Sequence, residues 1–169
     1  MEYVPFVQAT VGTKTVRDHF GVDLEKFRFW IRAGLFPGQP MEGNVGQGLR
    51  RRYTFDDVLV ARLIHDLQAL TQGRSFELLK QLILDIRGMV ESPMRGWTSV
   101  GHGARHAERW VVVTWAGSEY GVWTLGGIPW EALPGELKRH GIVSEGPFII
   151  FALHEIEAQE RAWFEDVIK

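Results

Sequence analysis

Residues 21–37 read Gly-Val-Asp-Leu-Glu-Lys-Phe-Arg-Phe-Trp-Ile-Arg-Ala-Gly-Leu-Phe-Pro, and their punctuation predicts one short helix held between a turn and a stop. Gly21 tolerates a positive φ, Asp23 can cap a helix that begins at Leu24, and Gly34 ends it with Pro37 beyond. Within the predicted helix, residues 24–33, Leu24, Phe27 and Ile31 fall at i, i+3 and i+7 and are expected to face a core. Lys26, Arg28 and Arg32 then lie on other faces. A short helix with one buried stripe and a basic remainder suits the major groove of DNA.

The neighbouring segments are of the types that such a reader needs. Lys14–Phe20 is long enough for a first helix, with Val16 and Phe20 four apart. After Pro37 a glycine-rich run, Gly38 to Gly48, leads into Leu49-Arg50-Arg51-Arg52-Tyr53. That composition predicts a hairpin wing with a basic return strand, on which the three arginines cannot all point one way. Thr54 should cap a helix from Phe55 to Leu70 with Val58, Ala61, Leu63, Ile64 and Leu67 on its apolar side. Gly73 ends the connection, and Ser75 caps a further helix with Phe76, Leu79, Leu82, Ile83 and Ile86 at helical spacing.

Over residues 13–86 the chain resembles the DNA-binding domain of the MerR family. The resemblance is carried by Gly21-Val22 through Leu35-Phe36-Pro37, by Arg51-Arg52-Tyr53-Thr54 with Asp57-Val58, and by Gly73-Arg74-Ser75-Phe76-Glu77, in that order and spacing. It implies a winged helix-turn-helix in which Glu25, Lys26 and Arg28 lie on or beside the DNA-facing side. It also implies that Arg51 or Arg52, in the wing, approaches the phosphate backbone. Two tyrosines usual in the family's helix are Phe29 and Trp30 here, and the segment between Pro37 and Arg51 is longer than usual. The long helix that pairs with its twin in MerR relatives has no counterpart, because Gly88 and Pro93 interrupt the pattern soon after Ile86.

Composition bounds the function classes. A chain of 169 residues with 45% hydrophobic side chains can bury one core or two small ones. There is no apolar run of membrane-spanning length, and Met-Glu-Tyr-Val-Pro is not the start of a secretory signal, so a cytoplasmic protein is expected. The absence of cysteine excludes disulfides, thiolate metal sites and thiol redox sensing. The net charge of −2 hides a split: residues 14–52 carry eight basic against four acidic side chains, residues 89–169 seven against eleven. The basic excess sits on the expected DNA reader, where Lys14, Arg17, Glu25, Lys26, Arg28, Arg32, Arg50, Arg51 and Arg52 form the candidate contact set.

The second half departs from the family plan. Residues 89–108, rich in Gly, Ser, Arg and His, suggest a linker or long loop. Trp110–Ala116 and Glu119–Leu125 are two β-rich runs around Gly117-Ser118, which predicts a hairpin pairing Trp115 with Tyr120, Val113 with Val122, Val112 with Trp123 and Trp110 with Leu125. Both faces would be apolar and should be covered. Residues 147–153, Pro-Phe-Ile-Ile-Phe-Ala-Leu, are continuous enough in hydrophobicity to suggest a central strand, running into a final helix, Glu155–Val167, with Ile156, Trp163, Phe164 and Val167 as its packing stripe. Ile128–Arg139 should hold one short helix stopped near Gly141. Trp110, Trp115, Tyr120, Trp123 and Trp130 have two readings, a small core or the lining of an effector pocket or interface, and Trp163 joins the second set.

Catalytic patterns are weak. Gly117-Ser118-Glu119-Tyr120-Gly121 has the wrong spacing for a nucleophile turn. His102 and His106 are four apart but flanked by glycines, with no third ligand set by spacing, and His154 with Glu155 and Glu157 reads as a helix start. No metal, cofactor or enzyme activity is expected. These features predict an α+β chain with a winged-helix DNA-binding domain at 1–88, a linker at 89–108 and an α+β assembly or effector module at 109–169. The expected function is that of a sequence-specific transcriptional regulator on double-stranded DNA, a homodimer through residues 109–169 that takes a small-molecule or protein effector there. The alternatives are an excisionase-like architectural factor and a winged-helix adaptor that binds protein.

Overall fold

The computed structural model describes residues 9–35, 39–40, 51–70, 77, 80–85, 109–116, 119–142 and 148–169. It is an α+β protein that divides into two compact units, Met1–Leu84 with Gln159–Lys169, and Asp85–Ala158. The wing tip, Arg50, the Ser75 cap, Phe76, Leu79, Ile86, the 89–108 segment with its two histidines, and the Gly117-Ser118 turn lie outside the described residues.

In the first unit the order is β1 (Val11–Gly12), α1 (Thr13–His19), α2 (Leu24–Arg32), β2 (Gln39–Pro40), β3 (Arg51–Tyr53) and α3 (Phe55–Leu70). The three short strands form an antiparallel sheet in the order β1-β3-β2, with Val11 opposite Tyr53, and Gln39 and Pro40 opposite Arg52 and Arg51. Helix α1 ends by a glycine device. Gly21 takes φ 60°, its N–H bonds to the Asp18 carbonyl, and the Val22 N–H reaches back to that of Arg17. The same geometry ends α2 at Gly34, where the Leu35 N–H bonds to the Trp30 carbonyl. In both places the residue after the glycine is buried, so each helix stop also anchors the chain that follows. Helix α3 starts with a reciprocal cap: the Thr54 hydroxyl accepts the Asp57 N–H, and the Asp57 carboxylate accepts the Thr54 N–H at 2.8 Å.

Helix α2 is rotated from the expected setting. Phe27 and Trp30 are fully buried, whereas Leu24 is exposed and Ile31 half-buried, so the core stripe is Phe27–Trp30 and not Leu24–Phe27–Ile31. Phe27 meets Tyr53 edge-on, and the Trp30 indole N–H donates to the Gln68 side chain of α3 at 3.1 Å. A buried indole needs that partner, and only tertiary structure supplies it.

The second unit is built on β4 (Arg109–Ala116), β5 (Glu119–Gly126), α4 (Leu133–Arg139) and β6 (Phe148–Ala152), followed by α5 (Leu153–Val167). The hairpin takes the expected register in all four named pairs. The strand order β5-β4-β6 corrects the central placement of residues 147–153: among the described residues β4 is central and β6 is an edge strand, with Phe148 exposed at its start. Residues 110–113 and 115 of β4 are buried, so both of its faces are covered. On one face Trp110 and Val112 pack against Leu133, Leu137 and Ile142, with Trp123, Leu125 and Ile150 at the margin. The Trp110 indole donates to the Ile128 carbonyl at 2.7 Å. Gly141, with φ 64°, stops α4 by the same device as Gly21 and Gly34. Gly121 is required for another reason: the Trp123 ring lies over it, and a Cβ there would fall 2.1 Å from the indole. The Tyr120 hydroxyl donates to the Asp85 carboxylate, and burial first, then that carboxylate, pushes its pKa up to about 12.

The last eleven residues, Gln159–Lys169, belong to the first compact unit. Helix α5 begins in the second unit and ends in the first. Glu160, only 1% exposed, accepts from Arg62 Nη1 of α3 at 2.9 Å and meets His19 Nε2 of α1 at 2.6 Å. Burial works against the Arg62 charge, but the bonds it donates to Asp66 and Glu160 outweigh it and hold the guanidinium above its ordinary pKa. Trp163 stacks on His19 at 3.8 Å between centroids, and Phe164, fully buried, packs against Phe55. Removing Glu160 takes the carboxylate from His19 and leaves Arg62 with Asp66 alone, which weakens a largely buried ionic cluster. Glu160→Ala should therefore cost ~2 kcal/mol, reduced from the fully buried case because His19 and Arg62 retain some solvent. The check is a lowered urea midpoint at unchanged slope, and an unchanged midpoint would remove this cluster from the stability of the unit.

Candidate nucleic-acid interface

The rotation of α2 decides what it offers to a ligand. With Phe27 and Trp30 inward, the outward stripe is Glu25, Arg28, Phe29 and Arg32, at i, i+3, i+4 and i+7. Arg28 Nη1 bonds to Glu25 at 2.8 Å, which holds one guanidinium along the helix surface. Lys26 is exposed but turned aside, its ammonium 5.9 Å from the Trp30 ring centroid. The start of the helix is fixed by Asp23, whose carboxylate accepts the Lys26 N–H at 2.8 Å as expected.

Strand β3 contributes the second wall. Side chains alternate, so Arg51 and Tyr53 share a face and Arg52 takes the other. Tyr53 is buried against Phe27, and burial raises its pKa above the ordinary value. Arg51 is thereby placed beside α2, where Arg28, Ile31, Arg32 and Arg51 line a cleft of about 230 Å³. Its walls are formed by three arginine side chains together with Ile31. Arg32 and Arg51 have no acidic partner among the described residues. Planar, permanently charged forks with free donors are suited to phosphate oxygens, which they can hold in pairs.

Of the other expected contacts, Lys14 is exposed on α1, and Arg17 is tied to Asp18 at 2.7 Å. Arg52 is exposed, and Arg50 lies outside the described residues. Ile31 and Phe29 were not among the expected contacts: Ile31 is a wall of the cleft, and Phe29 a member of the outward stripe. Their signal was present in the spacing of Glu25, Arg28, Phe29 and Arg32, and is read correctly only when Trp30 is taken as core.

The aromatic residues proposed for an effector site are mostly structural. Trp110 and Trp115 are buried in β4, Tyr120 is bound to Asp85, Trp123 covers Gly121, and Trp163 covers His19. Trp130, 57% exposed, is the tryptophan most open to solvent among those described. No group of three or more acidic or histidine side chains is placed to hold a metal, and no helix is long and apolar enough to cross a membrane, among the described residues. No family model and no curated protein matches the chain.

Because the Asp23 cap sets where α2 begins, Asp23→Ala should cost about 1 kcal/mol of stability. Thermal denaturation followed by circular dichroism checks this, and an unshifted transition would show that packing of Phe27 and Trp30 alone holds the helix start.

Proposed function

We propose that the chain is a sequence-specific, double-stranded DNA-binding protein of the winged helix-turn-helix type, similar to MerR regulators in its first unit, and that it regulates transcription. The observation that carries this reading is the three-arginine cleft between α2 and β3, beside an outward helix stripe that carries Glu25, Arg28 and Arg32. In this reading α1 and α2 form the helix-turn-helix, α2 enters the major groove, and β2 and β3 belong to the wing. Arg32 and Arg51 take phosphate, while Glu25 and Arg28 face base edges. Lys26 flanks the groove rather than reading it.

Phosphate contacts release counterions, so they are visible in the salt dependence of affinity. Arg32→Ala and Arg51→Ala should each weaken binding to specific and random duplexes by similar factors. Each should flatten the plot of log affinity against log salt by roughly one unit. Fluorescence anisotropy over a range of potassium chloride concentrations measures both. Wild-type protein with no salt-dependent affinity for any duplex would overturn the reading.

One recognition helix covers one half-site, so the same reading expects two copies on a palindromic operator. Because Phe164 is buried in the first unit, the dimer surface falls to residues 109–158, where Trp130 and Phe148 are exposed. Sedimentation at tens of micromolar with operator DNA should give two chains per duplex. A single chain per duplex would replace the dimer with a monomer that needs a DNA-bound partner.

A further inference from the structure

The cleft between α2 and β3 combines charge with an apolar lining. Arg28, Ile31 and Arg32 fall at i, i+3 and i+4 and so share one face of the helix, and Arg51 of the strand completes the lining. The lined surface is mainly carbon, from Ile31 and from arginine stems, which cover apolar surface while their charged ends keep to water. Of those charges, Arg28 is held by Glu25 at 2.8 Å, whereas Arg32 and Arg51 have no acidic partner among the described residues. At about 230 Å³ the cleft has the capacity of about seven waters at ~30 Å³ each, which is room for a furanose ring. A ligand that matches it is apolar where it meets Ile31 and anionic beside Arg32 and Arg51.

The backbone of DNA has that alternation, a deoxyribose between two phosphates. We infer that Ile31 packs against the C2′ methylene of a deoxyribose whose two phosphates bond to Arg32 and Arg51, and that the cleft thereby distinguishes DNA from RNA. This inference rests on the DNA-binding reading above and adds to it a choice of sugar. A ribose in the same place carries a 2′-hydroxyl, which is what lets a protein tell the two nucleic acids apart. Against Ile31 and the arginine methylenes that hydroxyl would lose water without gaining a partner. The arginine charges do not make the distinction, because both nucleic acids carry the same phosphates. Ile31 is uncharged, so its contribution should not depend on salt, unlike that of Arg32 and Arg51.

The test uses the full chain and a duplex selected by it from a random DNA pool. Methylphosphonate, placed at one phosphate at a time, removes a single charge. It locates the two phosphates whose neutralisation weakens the wild type but has no further effect on Arg32→Ala or on Arg51→Ala. A single ribonucleotide is then placed at each position in turn. At the nucleotide between those two phosphates the wild type should bind about fivefold more weakly, the order of cost for a hydroxyl that loses water without a partner. Ile31→Ala opens space for water at the hydroxyl, so it should bind the two duplexes alike and keep the wild-type salt slope. Equal wild-type affinity for the deoxyribose and ribose duplexes at every position would overturn the inference while leaving DNA binding intact. A penalty confined to nucleotides away from those phosphates would overturn it too. So would a penalty that persists in Ile31→Ala, since it would then come from sugar pucker or from another side chain. Absence of any salt-dependent duplex binding by the wild type would remove the reading beneath it. The ribonucleotide scan needs no change at Ile31, so it stands even if Ile31→Ala fails to fold.

Discussion

Burial of Phe27 and Trp30 sets the rotation of α2 about its axis, and the character of the candidate interface follows from that angle. A helix of nine residues has little stability of its own, so its orientation is decided by which side chains the core accepts. Here the core accepts two aromatic rings, and Tyr53 from β3 closes against one of them. The contact between Phe27 and Tyr53 therefore does two things at once. It seats the helix, and it fixes the strand whose other inward residue, Arg51, completes the cleft. A rotation of one residue would turn Arg28 or Arg32 away from Arg51 and take a wall from the cleft.

The Glu160 cluster is a different kind of constraint. A carboxylate at 1% exposure is costly unless it is compensated, and here it meets one cation from α3 and one imidazole from α1. Apolar side chains of similar volume can stabilise a core as well as such a cluster does. What the ionic arrangement adds is selectivity of position, because a carboxylate tolerates burial only where both partners are in reach. Trp163 and Phe164, on the same helix, supply the apolar contact that the charges alone do not.

Much of this architecture is legible in the residues, and the parts that are not share a cause. The bounds of α3, the Asp23 and Thr54 caps, the stops at Gly21, Gly34 and Gly141 and the hairpin register all depend on neighbours in sequence, and all could be read from it. The rotation of α2 could not. Leu24–Phe27–Ile31 and Phe27–Trp30 are both compatible with a helical period, and the choice turns on Gln68, 38 residues away. Residues 148–152 form a continuous apolar run that suggests a strand flanked on both sides, yet its place at an edge is a property of the sheet order. The stripe on the final helix was visible as a stripe, but not its partner. Of the candidate site, the basic residues were found from charge and pattern, whereas Ile31 and Phe29 were hidden by the wrong rotation.

The first unit is discontinuous, assembled from residues 1–84 and 159–169 with the whole of the second unit between them. During synthesis the earlier portion emerges with the places for Phe164 and Glu160 unfilled, and these can close only after residues 85–158 have been made. Contacts so far apart in sequence are slow to form, because the loop must be closed before they contribute. Synthesis thus imposes an order on folding. The three arginines of the cleft are present from an early stage, but the contacts of Glu160 and Phe164 with α1 and α3 form last, so a chain cut short within the second unit carries the arginines on a unit that lacks them.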